Sequence, residues 1–227
     1  MTALTRLAPE PIWSLTSDGS LIDIADPRPE IVCFLEMGNV LSKIARFDGR
    51  NPGPAYSVAQ HCVMGAQAVM NEGGSLGDAA LFLLHDGHEY IVGDQSRPSQ
   101  KLYSSVCIDL YGEERMIDAV AACKAAWDEA IYFAAGLPGP EAWTKKQAAL
   151  IKTMDNRMCR VEAIALFGHH AADQLFPKTK PPNLSSAIKP WAPMKAEEEF
   201  RKLAYRLIGE GRVIGQAATA AAARSSR

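Results

Sequence analysis

No part of this 227-residue chain alternates apolar and polar side chains with the two-residue period of a half-buried strand. That absence leaves helices as the means of building a core. Helical signals are frequent instead. Ile31, Phe34, Leu35, Leu41 and Ile44 recur at helical spacing behind Pro29, a residue suited to a first turn. Ser57-Val58-Ala59-Gln60 is a capping-box sequence and predicts a helix reaching about Met70. Asp78 is read as the cap of a helix over Ala79 to about Val92, stopped by Gly93. One long helix is expected from about Cys107 to Ala135, ended by Gly136 with Pro138 just beyond. Thr144-x-x-Gln147 is a second capping box, opening a helix to Phe167 before Gly168. A last helix covers about Lys195 to Ile208.

Proline and glycine divide the remainder. Residues 1–28 carry Pro9, Pro11, Pro27 and the turn Ser17-Asp18-Gly19-Ser20, and read as extended. Residues 46–55 (RFDGRNPGPA) read as a loop. Residues 29–208 form the expected domain, interrupted at about 169–193 by an irregular, proline-rich insertion. The stretch 209–227, ending GQAATAAAARSSR, has few large apolar side chains and is expected to be a disordered tail. The fold class is therefore all-α, a single helical bundle.

Composition excludes several classes of function. With 24 Lys+Arg against 26 Asp+Glu, the net charge of −2 gives no basic surplus for a nucleic-acid backbone. The longest apolar run, Ala79–Leu84, is far below the roughly 20 residues of a membrane span. The beginning, MTALTRLAPEPIW, lacks the apolar core of a signal peptide. Five cysteines, with no C-x-x-C pair, read as reduced thiols, so a cytoplasmic location is expected.

The residues suited to chemistry are few. There are five histidines. His61 falls on the second helix, His85-Asp86 closes the apolar run of the third, and Asp155 lies on the helix opened by Thr144. A carboxylate at the end of so apolar a run needs a partner or a cation to offset its desolvation. Two imidazoles and two carboxylates suit a divalent ion of borderline hardness. The spacing alone is unspecific, and a lone helical histidine is more often a satisfied or surface residue. Lys101, sixteen residues past His85, is a candidate phosphate contact, set against the reading of a solvated lysine. Glu162, two turns after Asp155, is read as pairing with an arginine such as Arg46 or Arg157. His88 could line the edge of a pocket, and His169-His170 are read as surface residues.

The segments ARFDG (45–49), YSVAQH (56–61), LLHDGHEYIVGDQSRPSQK (83–101) and MDNRMCRVEA (154–163) together resemble the HD-domain phosphohydrolases. The similarity is to the small members related to 5′-deoxynucleotidases, over roughly residues 20–167. It implies an HD-domain bundle with His61, His85, Asp86 and Asp155 as ligands of one divalent metal ion (Mn, Co, Mg, Zn or Fe). It also implies Glu89 and Asp94 as the catalytic acids, and Arg46 as a grip on phosphate beside the aromatic face of Phe47. Four departures stand out. Phe47 replaces the usual Trp, the interval from His61 to His85 is short, and His88 occupies a turn where small residues are usual. The sequence beyond Phe167 has no counterpart.

The activity so implied is hydrolysis of a (deoxy)nucleotide 5′-phosphate ester by a metal-activated water. One alternative is a triphosphohydrolase, as in the phage dATP-hydrolysing relatives, releasing triphosphate. Another, of a different class, is a catalytically silent nucleotide-binding regulator; a helical scaffold with no site is the third. The expected partners are the nucleotide and further copies of the chain in a homo-oligomer, dimer or higher, with no nucleic acid and no membrane.

Overall fold

In the computed structural model, which describes residues 6–225, the bundle is built around α2 (Val58–Asn71). The Ser57 hydroxyl caps it by accepting from the Gln60 N–H, half of the predicted capping box; the Gln60 side chain bonds the backbone of Lys189 and Trp191 instead of reaching back. Every residue from Val58 to Ala66 is buried, so α2 is enclosed on all sides rather than amphipathic. Around it pack α1 (Phe34–Leu41), α3 (Leu76–Leu83), α7 (Lys145–Phe167) and α9 (Pro193–Ala204). The contact with α3 is close because residue 65 is glycine. A Cβ there would lie 2.1 Å from Cε1 of Phe82.

Several elements differ from the sequence reading, each for a local reason. The third helix ends at Leu83, and its cap is Ser75; Asp78 is the reciprocal member of that capping box. The chain then turns through His85–His88 and resumes as α4 (Glu89–Val92). The expected 107–135 helix is two helices, α5 (Arg97–Tyr111) and α6 (Met116–Ala135). Gly112, at φ 73°, supplies the left-handed residue that closes α5. The insertion begins with a helix, α8 (His169–Leu175), before becoming irregular. Trp13–Leu15 (β1) and Leu21–Asp23 (β2) form a small antiparallel hairpin within the segment read as extended. Residues 46–55 start with a short 3-10 turn, Arg46–Gly49.

The largest correction concerns the tail. Residues Glu210–Ser225 form a helix, α10, which continues α9 through a π-type turn at Tyr205–Gly209. Alanine has the highest helix propensity, and its small side chain lets α10 lie close to the bundle. Val213 and Ala220 are buried, Gln216 donates to the Pro29 carbonyl, and Arg224 pairs with Glu36 and Asp18. The domain thus extends past 208 instead of ending there; only residues 226 and 227 of the tail lie outside the described residues. Among the described residues, no helix is long and apolar enough to cross a membrane.

Candidate metal centre

Three elements bring the four expected ligands together: His61, His85 and Asp86 place ligand atoms within 4.8 Å of one another, and Asp155 approaches both imidazoles. Capping by Ser57 fixes the start of α2 and places His61 on its first turns, with no exposed surface. The end of α3 supplies His85 and Asp86, presented by the turn that follows Leu84. Gly87 makes that turn possible, since a Cβ at this position would lie 2.8 Å from the Leu84 carbonyl oxygen. Asp155 comes from the middle of α7.

His61 Nε2 is 3.3 Å from His85 Nε2 and 3.7 Å from Asp86 Oδ2, and His85 Nε2 is 3.2 Å from the same oxygen. Asp155 Oδ1 lies 3.5 Å from His61 Nε2 and 3.9 Å from His85 Nε2. Ligands bonded to one ion at about 2.0–2.2 Å and subtending near-tetrahedral or right angles are separated by roughly 2.8–3.6 Å. The observed spacings are close to that range.

The hydrogen bonds on the far side of each ring decide which nitrogens face inward with a lone pair. His85 Nδ1 is 2.7 Å from the Phe82 carbonyl, which can only accept, so Nδ1 carries the proton. His61 Nδ1 is 2.6 Å from Glu162 Oε1. Burial alone would raise the Glu162 carboxyl, but His61 and Arg46 outweigh it and hold the group below the usual range, ionised. His61 Nδ1–H therefore donates as well. With Nδ1 as the donor on each ring, the two inner nitrogens face each other and two carboxylates. Without a cation, only an additional proton relieves this arrangement. Burial opposes a proton on His85, but Asp86 and Asp155 override it and hold the imidazole well above its ordinary range. The same negative field that attracts a proton would attract a metal ion, so the residues present fit one.

Glu162 is the hub behind the site. It accepts from His61, from the Tyr56 hydroxyl at 3.0 Å and from Arg46 Nε at 3.1 Å, and it has no exposed surface. The pairing with Arg46 is one of the two read from sequence; Arg157 pairs instead with Glu72. Arg46 is only 11% exposed. Its Nη1 lies 3.3 Å from Asp86 Oδ2 and its Nη2 donates to Cys159 Sγ at 3.1 Å. Each nitrogen of the fork is thus directed at the protein's own groups rather than at open solvent, which sets Arg46 between the two ligand-bearing elements.

The remaining candidates are less uniform. Glu89 is buried, and burial, then Asp86 and Asp94, push its carboxyl up to about 9. Asp94, half-buried beyond Gly93, is also raised, chiefly by burial. Phe47 and Asp48 both adopt left-handed backbone, at φ 55° and 54°. That conformation costs side-chain-bearing residues of order 1–3 kcal/mol each. Phe47 packs edge-on to Phe167 with ring centroids 5.4 Å apart, and Asp48 Oδ2 accepts from Ser96 Oγ at 2.9 Å. Lys101 is exposed on α5.

Four residues at or behind the site were not singled out from sequence. Tyr56 precedes the α2 cap, where an apolar residue is ordinary and nothing marks its hydroxyl. Cys159 carries no pattern of its own. Arg97 Nη2 reaches Asp155 Oδ2 at 3.2 Å; the late start expected for α5 concealed its position at that helix's first turn. Asp128 accepts from His88 Nδ1 at 2.8 Å. The signal for Asp128 was an acid beside Trp127 and Ala130-Ile131, on a face too apolar for an unpaired charge.

No protein-family model matches the chain. It is similar to an uncharacterized protein of Rhodobacter capsulatus, 29% identical over 174 residues, which cover 74% of this chain and 81% of that protein.

Proposed function

We propose that this protein is a metal-dependent phosphohydrolase of the HD-domain type acting on (deoxy)nucleotides. The observation that carries the reading is the convergence of His61, His85, Asp86 and Asp155, with both imidazoles fixed in the tautomer that faces lone pairs inward. A divalent ion held there would polarise a phosphate oxygen and lower the pKa of water. Glu162 and the Phe82 carbonyl orient the two imidazoles, and Arg46 fixes Asp86 against Glu162. Asp94, or Glu89 once a bound cation has displaced its own proton, accepts the proton of the attacking water, whose oxygen bonds to phosphorus as the ester bond to the nucleoside oxygen breaks. Arg97 against Asp155, and Lys101 one turn further along α5, supply positive charge for the substrate phosphate. Phe47 offers an aromatic face.

The test is a screen of purified protein, loaded with Mn²⁺, Co²⁺, Zn²⁺ or Mg²⁺, against nucleoside mono- and triphosphates. Released phosphate and triphosphate are measured separately. Turnover lost in Asp155→Ala is the expected result, and the product distinguishes esterase from triphosphohydrolase. A metal-loaded, folded protein that binds nucleotides but hydrolyses none would replace the enzyme with a silent regulator.

A further inference from the structure

One buried cluster overlaps the edge of this site and adds His88 to it. Asp86, His88 and Glu89 each place one ligand atom within 4.8 Å of the others. His88 is 5% exposed and Glu89 likewise, yet His88 Nε2 and Glu89 Oε2 are both buried with no hydrogen-bond partner. A buried polar atom left unpaired costs about 1–3 kcal/mol, more if charged, and two such atoms side by side require an explanation.

The other ring nitrogen supplies one. His88 Nδ1 lies 2.8 Å from Asp128 Oδ1. A carboxylate that takes the Nδ1 proton turns the ring and leaves Nε2 as a lone pair, the arrangement in which histidines bind metals. Asp128 comes from α6, a helix that contributes nothing to the first centre, so the orientation is built from a separate element. The surroundings are also acidic. Asp86, Glu89 and Asp94 stand together, and although Arg46 and Lys124 offset part of that charge, neither donates to the two unpaired atoms.

We propose that Asp86, His88 and Glu89 hold a second divalent cation, with Asp86 shared between the two centres and Asp128 positioning His88. One nitrogen and two carboxylates suit the same borderline-hard ions as the first site. A shared carboxylate would hold the ions about 3.5–4 Å apart, the spacing at which two metals act on one phosphate. The proposal rests on the first reading in taking Asp86 as a common ligand, and it assigns Glu89 to the cation, which leaves Asp94 as the proton acceptor.

The experiment uses the full chain, stripped with chelator, saturated with Mn²⁺ and freed of excess. Bound manganese is counted, and its electron paramagnetic resonance spectrum is recorded. Wild type should hold two equivalents with the signal of a spin-coupled pair. His88→Ala should hold one, with the six-line signal of an isolated ion. Asp128→Asn, which keeps the imidazole, should weaken the second equivalent roughly 10- to 100-fold; this variant also serves should His88→Ala fail to fold. One equivalent in wild type, lost in His85→Ala and unchanged in His88→Ala, would overturn the second site and leave the first intact, with a water or a proton on Glu89 filling the gap. No bound manganese in wild type would overturn both.

Discussion

Glu89 shows how a single side chain can work against the fold that carries it. In the folded chain, burial and the neighbouring Asp86 and Asp94 raise its carboxyl to about 9, whereas in the unfolded chain it titrates near ~4.3. Between those values the unfolded chain has lost the proton and the folded chain still holds it. Stability of the metal-free protein therefore falls as pH rises across that interval. Glu89→Gln removes this dependence. The metal-free variant should melt above metal-free wild type at pH 8, with the gap closing toward pH ~4.3. A gap that stays constant with pH would show that Glu89 is ionised in the fold. Neighbouring Glu162 has the opposite sign: its carboxyl is depressed, so its contribution is present above the unfolded value and lost in acid. The sequence showed Glu162 as a salt-bridge acid. It did not show that the same carboxylate sets the tautomer of His61, because that depends on α2 and α7 meeting.

At the scale of elements, the sequence was most legible where a start or stop is encoded locally. The Ser57 cap and the Thr144 capping box open the helices predicted there, although the Gln60 side chain turns to Lys189 and Trp191 instead of back to Ser57, and Gly136 and Gly168 end theirs. It was least legible where a helix owes its position to tertiary packing. α10 has the composition of a solvated tail, yet Val213 and Ala220 are buried and Arg224 closes on Glu36. Amides from Val213 to Ala220 should therefore resist hydrogen exchange. Val213→Ala, which removes two buried methyl groups, should cost about 2 kcal/mol of stability. Complete exchange of that segment at the earliest time points, with an unaltered melting curve in the variant, would return α10 to the status of a frayed end. The helix expected at 107–135 failed for a comparable reason. Gly112 was passed over as one more helical residue, although its left-handed conformation ends α5.

For the whole molecule, the decisive fact is that residues 24 and 70 positions apart, His61, His85 and Asp155, meet through three packed helices. The residue types and their order were visible in the sequence. The surrounding shell of Tyr56, Arg97, Asp128 and Cys159 was not, since none of them carries a local pattern and each acquires its role by packing. Burying four donor atoms against one another is unfavourable for a bundle with nothing between them, and a bound cation would convert that cost into stability by mass action. The most direct test is the melting temperature of chelator-stripped protein before and after saturation with Mn²⁺, for wild type and His85→Ala on matched preparations. At a free ion concentration 100-fold above Kd, the centre built on His61, His85, Asp86 and Asp155 should by itself add about 2.7 kcal/mol of stability to the wild type, with a clear rise in Tm. His85→Ala should lose most of that contribution. An equal rise in both proteins, or none in either, would contradict a metal centre at these residues.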